Sequence, residues 1–319
     1  MPVTQLKFER PLEELADRVA ALEQHSSDAN TDVSREVASL ASRPGKLREY
    51  FRENMSPWEK VLMARCTTRP QPMDLCKRLF TDFLELHGDR RFGDDPAICG
   101  GFAYFDGHPV MLIATCKGRS LDEYVATHCG SAQPEGYRKA LRLMKLADKA
   151  GCPVITFIDT PGAYPGIESE ERHIGEAIAC NLREMFRFSV PIVSIITGEG
   201  GSGGALGLAV GNRVLMLANA YYSVITPEGC AAILWKSAGR APDAAASLHI
   251  TAQDLLRFGI IDGIIPEPLD GAQQDYNATA DAIREELRQV LPKLRRMNGR
   301  KLREERYERF RRMGRFVER

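Results

Sequence analysis

Two stretches of this chain, PVITFIDT (residues 153–160) and VPIVSIIT (residues 190–197), are apolar almost end to end. They lack the alternation of a strand that is wet on one face, so each must be buried on both. Each follows a helical pattern, PEGYRKALRLMKLADKAG (134–151) before the first and IGEAIACNLREMFRF (174–188) before the second. Each runs into a glycine- and proline-rich turn, PGAYPG (161–166) and GEGGSGGALG (198–207). Buried strands alternating with amphipathic helices mean βα units and a largely parallel sheet, with ligand loops at the carboxyl ends of the strands. The pattern continues through RVLMLAN (213–219), YYSVIT (221–226) and the helical PEGCAAILWKSAG (227–239). Ahead of it, AICGGFAYFDGHPVMLIATCKG (97–118) reads as two strands joined around Asp106-Gly107, a hairpin signal. The fold class is α/β.

The flanks read differently. Residues 1–90 form a helical, mostly polar region in which Leu12, Leu15, Val19 and Leu22 make a narrow apolar seam. Further helical pieces follow through WEKVLMARC (58–66) and LCKRLFTDFLELHGD (75–89). With few β-branched residues and no glycine loop, this region reads as an assembly layer. The core spans residues 91–270, and residues 271–319 form a helical, basic segment. From Pro292 onward it carries twelve Lys or Arg against four Glu. Its reading is a solvated helix against a partner subunit in preference to a nucleic-acid contact.

The chain of 319 residues has 43 basic and 43 acidic side chains, so no strongly polyanionic partner is expected for the molecule as a whole. Its eight cysteines are scattered without a CxxC or CxH cluster, which argues against a zinc site built by this chain alone. The opening MPVTQLKFERPLEEL has no basic-then-apolar leader pattern. No apolar stretch approaches the ~18–20 residues of a membrane span. A reducing cytoplasm is the expected compartment.

Gly198-Glu199-Gly200-Gly201-Ser202-Gly203 satisfies GxGxxG after a strand, which raises a dinucleotide site. Against it, Gly211 cuts the following helix short, and no acidic residue closes the next strand, since none appears before Glu228. A phosphate loop lacks its Lys-Ser/Thr. Ser202 in GGSGG resembles a nucleophile elbow, but His249 is the only later histidine. The other reading uses backbone alone. Glycines at a helix start expose N–H donors, and two such donors form an oxyanion hole. Gly203 and Gly204 are the best-placed donors, with Gly162 and Ala163 of the neighbouring turn as candidates to face them. A site that polarises a carbonyl through amides, without an obvious acid, base or metal, suits enolate chemistry on a thioester or urea.

Six motifs in register, PEGYRKALRLMKLADKAG, ITFIDTPGAYPG, AIACNLREMFR, ITGEGGSGGALG, YSVITPEGCAAILWKSA and IIDGIIPEPL, resemble the α-subunit family of bacterial acetyl-coenzyme A carboxylase carboxyltransferases. The resemblance implies a crotonase-like ββα superhelix with a mostly parallel sheet and an α₂β₂ assembly. It also implies a β subunit that carries the zinc ribbon, so no metal belongs to this chain. The implied reaction moves a carboxyl group from carboxybiotin, on its biotin carboxyl carrier protein, to acetyl-coenzyme A, giving malonyl-coenzyme A. Biotin carboxylase completes the larger complex. On this resemblance Gly203 and Gly204 hold the biotin ureido oxygen. Tyr164, Gly200, Gly201 and Lys117 are the substrate-binding residues. The biotin anion itself takes the acetyl proton, which accounts for the missing base.

Two places depart from the family pattern. ATCKG (114–118) stands where His-Gln precedes Lys-Gly, and THCGSAQPEGY (127–137) replaces NFGMPAPEGY. Both bear on acyl preference, so another short acyl-coenzyme A stays open as the substrate. A second class, a self-sufficient crotonase-type hydratase or thioesterase, would need a carboxylate aimed into the glycine loop. Glu199 is the only one inside it.

Overall fold

The computed structural model describes residues 54–314. The seam at Leu12, Leu15, Val19 and Leu22 and the last five residues of the basic segment lie outside the described residues.

The strands form one sheet: β1 (Thr81–Glu85), β2 (Ile98–Phe105), β3 (His108–Thr115), β4 (Val154–Thr160), β5 (Ile192–Gly201), β6 (Arg213–Leu217), β7 (Tyr221–Ser223) and β8 (Gly263–Ile265). Their order is β1-β2-β3-β4-β5-β6-β8, with β7 beside the far end of β5. The first three pair antiparallel and every later pairing is parallel. The β2–β3 turn places Asp106 at φ 47° and Gly107 at φ 75°, the two left-handed residues that match a hairpin to strand twist. Every residue of β4 and β5 is buried, as their mostly apolar runs predict, Asp159 and Glu199 included. Helix Pro134–Ala150 crosses from β3 to β4 and stops at Gly151, whose φ of 69° no β-carbon opposes. Helix Ile174–Met185 crosses from β4 to β5.

Three features depart from the sequence reading. The helical piece proposed over residues 75–89 ends at Leu79, and Thr81–Glu85 is an edge strand. Leu75, Leu79, Phe83 and Leu86 do keep helical spacing, but pairing overrides it. Leu84 lies opposite Phe102, and Gly101 lets the strands meet, since a Cβ there would run into the Leu84 carbonyl.

The boundaries at 90 and 270 do not separate packing units either. One buried apolar cluster takes in Leu75, Leu79 and Phe80 from before residue 90, the central strands, and Ile283, Leu287, Leu294 and Leu302 from after residue 270. A sheet needs its faces covered, and the flanking helices cover it.

The basic helix Gly299–Arg311 is not simply solvated. Arg306 is fully buried, and its guanidinium donates to the carbonyl oxygens of Met185, Phe188 (3.0 Å) and Val190 (2.9 Å) and to Asn212 Oδ1 (2.7 Å). Arg309 forks onto Asp262 and the Ile260 carbonyl.

Candidate active site

Strands β4 and β5 run side by side and release their loops at the same edge of the sheet. Pairing is regular through Ile158 and Ile196, then slips so that Thr160 faces Gly200. Beyond the slip the two loops touch backbone to backbone. A Cβ on Gly204 would lie 2.5 Å from the Ala163 nitrogen, and one on Gly201 would overlap the Pro161 carbonyl. A Cβ on Gly198 would lie 2.5 Å from Asp159 Oδ1, and one on Gly200 2.9 Å from the Tyr222 ring. Four glycines are therefore spent on the protein's own close contacts. Only Gly203 has room, with Ile178 no nearer than 3.7 Å. The assignment of Gly200 and Gly201 as substrate-binding residues gives way accordingly. Both are buried, and the space a ligand would need is filled by β7 and by Pro161.

The donors remain. Helix Ser202–Leu206 starts directly from the strand and has no side-chain cap. Among the described residues the amides of Gly203, Gly204 and Ala163 have no acceptor. Gly162 is different, because its amide already donates to Thr160 Oγ1 at 3.1 Å. Tyr164 spends its amide on the Ala132 carbonyl. Of the facing pair, Ala163 alone keeps a free donor. A helix of five residues has little macrodipole, so the local N–H groups carry the potential. Concavities of 280–520 Å³ lie elsewhere, one of 430 Å³ lined by Phe186, Tyr307 and Phe310. The candidate site is marked by the two touching loops together with their free amides.

Behind the loop sits a layer of buried charge. Glu199 Oε1 accepts from Lys117 Nζ at 2.8 Å, and its Oε2 accepts from Arg65 Nε at 2.8 Å and from the Tyr221 hydroxyl at 2.6 Å. Lys117 also reaches Asp159 Oδ1 at 2.6 Å, and that same oxygen accepts the Glu199 amide at 2.8 Å. Arg65 closes onto Glu228 at the first turn of helix Pro227–Trp235. Burial alone would raise the Glu199 carboxyl, but the charges of Lys117 and Arg65, with the Lys117 and Tyr221 hydrogen bonds, hold it down to about 2. Burial opposes the Lys117 charge, yet Asp159 and Glu199 together raise its pKa. Burial and then the neighbouring Glu199 charge push the Tyr221 phenol well above its ordinary value, so it remains a neutral donor.

Two sequence expectations change here. Lys117 does not face substrate, because its ammonium is consumed by two buried carboxylates. Glu199 is an ion-paired anchor, not a carboxylate poised to trade a proton, and this removes the residue the hydratase reading needs. A second buried pair, Arg69 with Glu267, also grips the strand, with Arg69 Nε donating to the Thr197 carbonyl at 2.8 Å. Sequence reasoning missed Arg65, Arg69, Asp159, Tyr221 and Glu228. No local signal was available, since Arg65 and Glu199 lie 134 positions apart.

Tyr164 is half-buried, with its ring tilted by 43° against His128 at a centroid distance of 4.0 Å. His128, Cys129 and Gly130 are left-handed in succession (φ 48°, 56° and 86°), and the Gly130 carbonyl accepts from Thr160 Oγ1. The departing segment 127–137 thus abuts the 160–164 turn. Ser202 sits at φ 45° and is exposed, so its backbone resembles a nucleophile elbow. Among the described residues it has no histidine or acid partner, and His249 instead faces Asp254 and Phe258. No group of three His, Cys, Asp or Glu side chains suited to a metal occurs among the described residues.

Residues 5–314 match the family model described as acetyl co-enzyme A carboxylase carboxyltransferase-like. An acetyl-coenzyme A carboxylase carboxyl transferase subunit alpha from Geobacter metallireducens is 50% identical over 98% of this chain and 98% of its own. The subunit of the same name from Thermus thermophilus is 48% identical over 98% and 99%. Among solved structures, transcarboxylase 12S with bound methylmalonyl-coenzyme A superposes with a TM-score of 0.54 at 17% identity, covering 67% of this chain and 41% of that one. A Pseudomonas malonate decarboxylase heterodimer gives 0.53 at 20% identity, covering 70% and 92%. These likenesses identify a crotonase-like fold.

Proposed function

The chain belongs to the acetyl-coenzyme A carboxylase carboxyltransferase α-subunit family, and from that premise we propose that its free loop amides form one half of a carboxyl-transfer site. The reaction carries a carboxyl group from carboxybiotin on a carrier protein to acetyl-coenzyme A, giving malonyl-coenzyme A. Carboxybiotin, when bound, supplies the activated carboxyl group. The observation that carries this reading is three amide donors without an acceptor among the described residues, Gly203, Gly204 and Ala163, on loops that touch. Neutral amides fit a neutral ureido oxygen that gains negative charge only during reaction, and they stabilise the charge without being titrated away. Tyr164, packed against His128 beside Ala163, is suited to bound the ring.

The second oxyanion site and the acyl-coenzyme A contacts would come from a zinc-bearing β subunit in an α₂β₂ assembly, with biotin carboxylase supplying the charged carrier. Exposed apolar side chains support a partner surface at this edge of the sheet. Leu121 and Val125 follow β3, Ile167 follows β4, and Val224, Ile233 and Leu234 follow β7. No helix among the described residues is long and apolar enough to cross a membrane, and the proposed compartment is the cytoplasm.

Malonyl-coenzyme A decarboxylation with free biotin tests the assignment. The isolated chain is expected to be inactive and the αβ complex active. Full turnover by the chain alone would refute the split site. Within the complex, Gly203→Pro removes one donor and is expected to cost ~10²–10³-fold in turnover, while Ser202→Ala stays near wild type. A dead alanine variant would restore the hydrolase reading. Malonyl- against methylmalonyl-coenzyme A in the same assay decides acyl preference.

A further inference from the structure

We propose that Lys117 and Glu199 are positioning residues, which act through the glycine loop to hold the Gly203 and Gly204 amides in place. The inference rests on the donor role just given to those amides, and it adds which side chains make that role available.

A glycine loop cannot hold itself. Glycine loses more conformational freedom on ordering than any other residue, so a loop this rich in it must be fastened from outside. Between residues 197 and 204 only Thr197, Glu199 and Ser202 carry side chains. Ser202 is exposed, and Thr197 Oγ1 makes one bond of 3.3 Å to the Ile158 carbonyl. Glu199 is therefore the loop's main side-chain anchor. It is fastened to three segments that are distant in sequence: Lys117 beyond β3, Arg65 beyond helix Pro57–Ala64, and Tyr221 in β7. Lys117 ties both sides of the same peptide. Its ammonium bridges Glu199 Oε1 to Asp159 Oδ1, and that Asp159 oxygen holds the Glu199 amide. Gly198 has no Cβ, and one would collide with this carboxylate. The Lys117 stem is itself walled in, because a Cβ on Gly130 would lie 2.6 Å from its Cγ.

The arrangement is expensive as a purely structural device. Buried ion clusters are often no more stabilising than packed apolar side chains, whereas removing one partner strands the others. Their advantage is geometric. Four hydrogen bonds of 2.6–2.8 Å converge on one residue four positions before Gly203, and the Lys117–Asp159 pair at 2.6 Å braces two of them. Preorganised donors depend on such support, since a donor that must reorient during reaction loses most of its value.

Three variants of this chain, each in complex with its β subunit, test the proposal: Lys117→Met, Lys117→Arg and Tyr221→Phe. Lys117→Met is expected to lower kcat by about 10²-fold with KM for the acyl-coenzyme A within about threefold, and Lys117→Arg to recover most of the loss. Tyr221→Phe deletes one hydroxyl and keeps the packing, so it reports even if the methionine variant fails to fold. It should lower kcat by about 3–10-fold, again without a change in KM. Amide hydrogen exchange across residues 198–204, read by mass spectrometry, is expected to quicken in Tyr221→Phe and in folded Lys117→Met, while β3 and β4 stay protected. Unchanged loop exchange, or a KM that rises with kcat intact, overturns the proposal. A complex that transfers no carboxyl group while its loop exchange still responds to these variants would refute the carboxyltransferase reading and leave the positioning role standing.

Discussion

In the glycine loop the chain removes side chains so that two backbones can touch. In helix Gly299–Arg311 it extends one of its longest side chains so that a distant backbone can be reached. Each region carries a strong compositional bias, and each bias suggests a foreign ligand. In both, most of it serves contacts within the chain. Gly198, Gly200, Gly201 and Gly204 are pressed against Asp159, Tyr222, Pro161 and Ala163. Arg306 and Arg309 are bound to carbonyls, Asn212 and Asp262. The regions differ in what is left over. The glycines make their contacts through a missing side chain and leave the Gly204 amide without an acceptor, while the arginine contacts use most of the guanidinium donors themselves. The proposed function therefore draws on the loop.

The largest expected effect lies on the arginine side. Burial lowers the Arg306 pKa to about 10, which still leaves it charged near neutrality. Arg306→Leu strands three carbonyls and leaves Asn212 Oδ1 with the Ile192 N–H alone, and should cost about 3–5 kcal/mol in denaturant unfolding. Arg300, exposed and paired only with Glu304, should cost at most about 0.5 kcal/mol when changed to alanine. Equal losses would erase the distinction between anchoring and solvated arginines.

Next comes the charge behind the loop. The Glu199 carboxyl is held at about 2, below its ordinary 4.5. Its stabilisation is complete above pH 4.5 and is lost as the pH falls through about 2. The stability difference between wild type and Glu199→Gln should be constant above pH 4.5 and shrink on acidification, by about 3 kcal/mol in all. A difference that does not change with pH would mean that the loop is not held by this ion cluster.

The smallest effect separates glycines within the loop. Gly201→Ala drives a methyl into the Pro161 carbonyl and should cost about 1–3 kcal/mol. Gly203→Ala meets only Ile178 at van der Waals distance and keeps its amide, so stability should hold or rise by up to about 1 kcal/mol. Thermal midpoints of the two variants decide this. Similar losses at both positions would mean that the loop is uniformly tight and that Gly203 has no open side.

Much of this was legible because the signals were local. The mostly apolar runs at 154–160 and 192–197, the Asp106-Gly107 hairpin and the Gly151 helix stop each follow from a few adjacent residues, and each is found where the chain spells it. Strand Thr81–Glu85 was not legible, because Leu79, Phe83 and Leu86 keep helical spacing and only pairing with β2 decides the matter. The free amides were half legible. The glycines and the strand end point to them, but nothing local distinguishes Gly162, whose N–H belongs to Thr160, from Ala163, whose N–H has no acceptor.

The sequence by itself determined the βα order, the hairpin at Asp106-Gly107 and the two loops that leave neighbouring strands. All of these rest on periodicity and on the conformational limits of single residues, which act over a few positions. Tertiary structure alone decided which glycines face another backbone and which face open space. It also decided that Lys117 and Glu199 anchor the loop, and that Arg306 is core. Those outcomes depend on the meeting of side chains up to 134 positions apart. Burial then sets the charge state of each group once its partners are fixed, and neither partner nor burial is encoded within any short window of the chain.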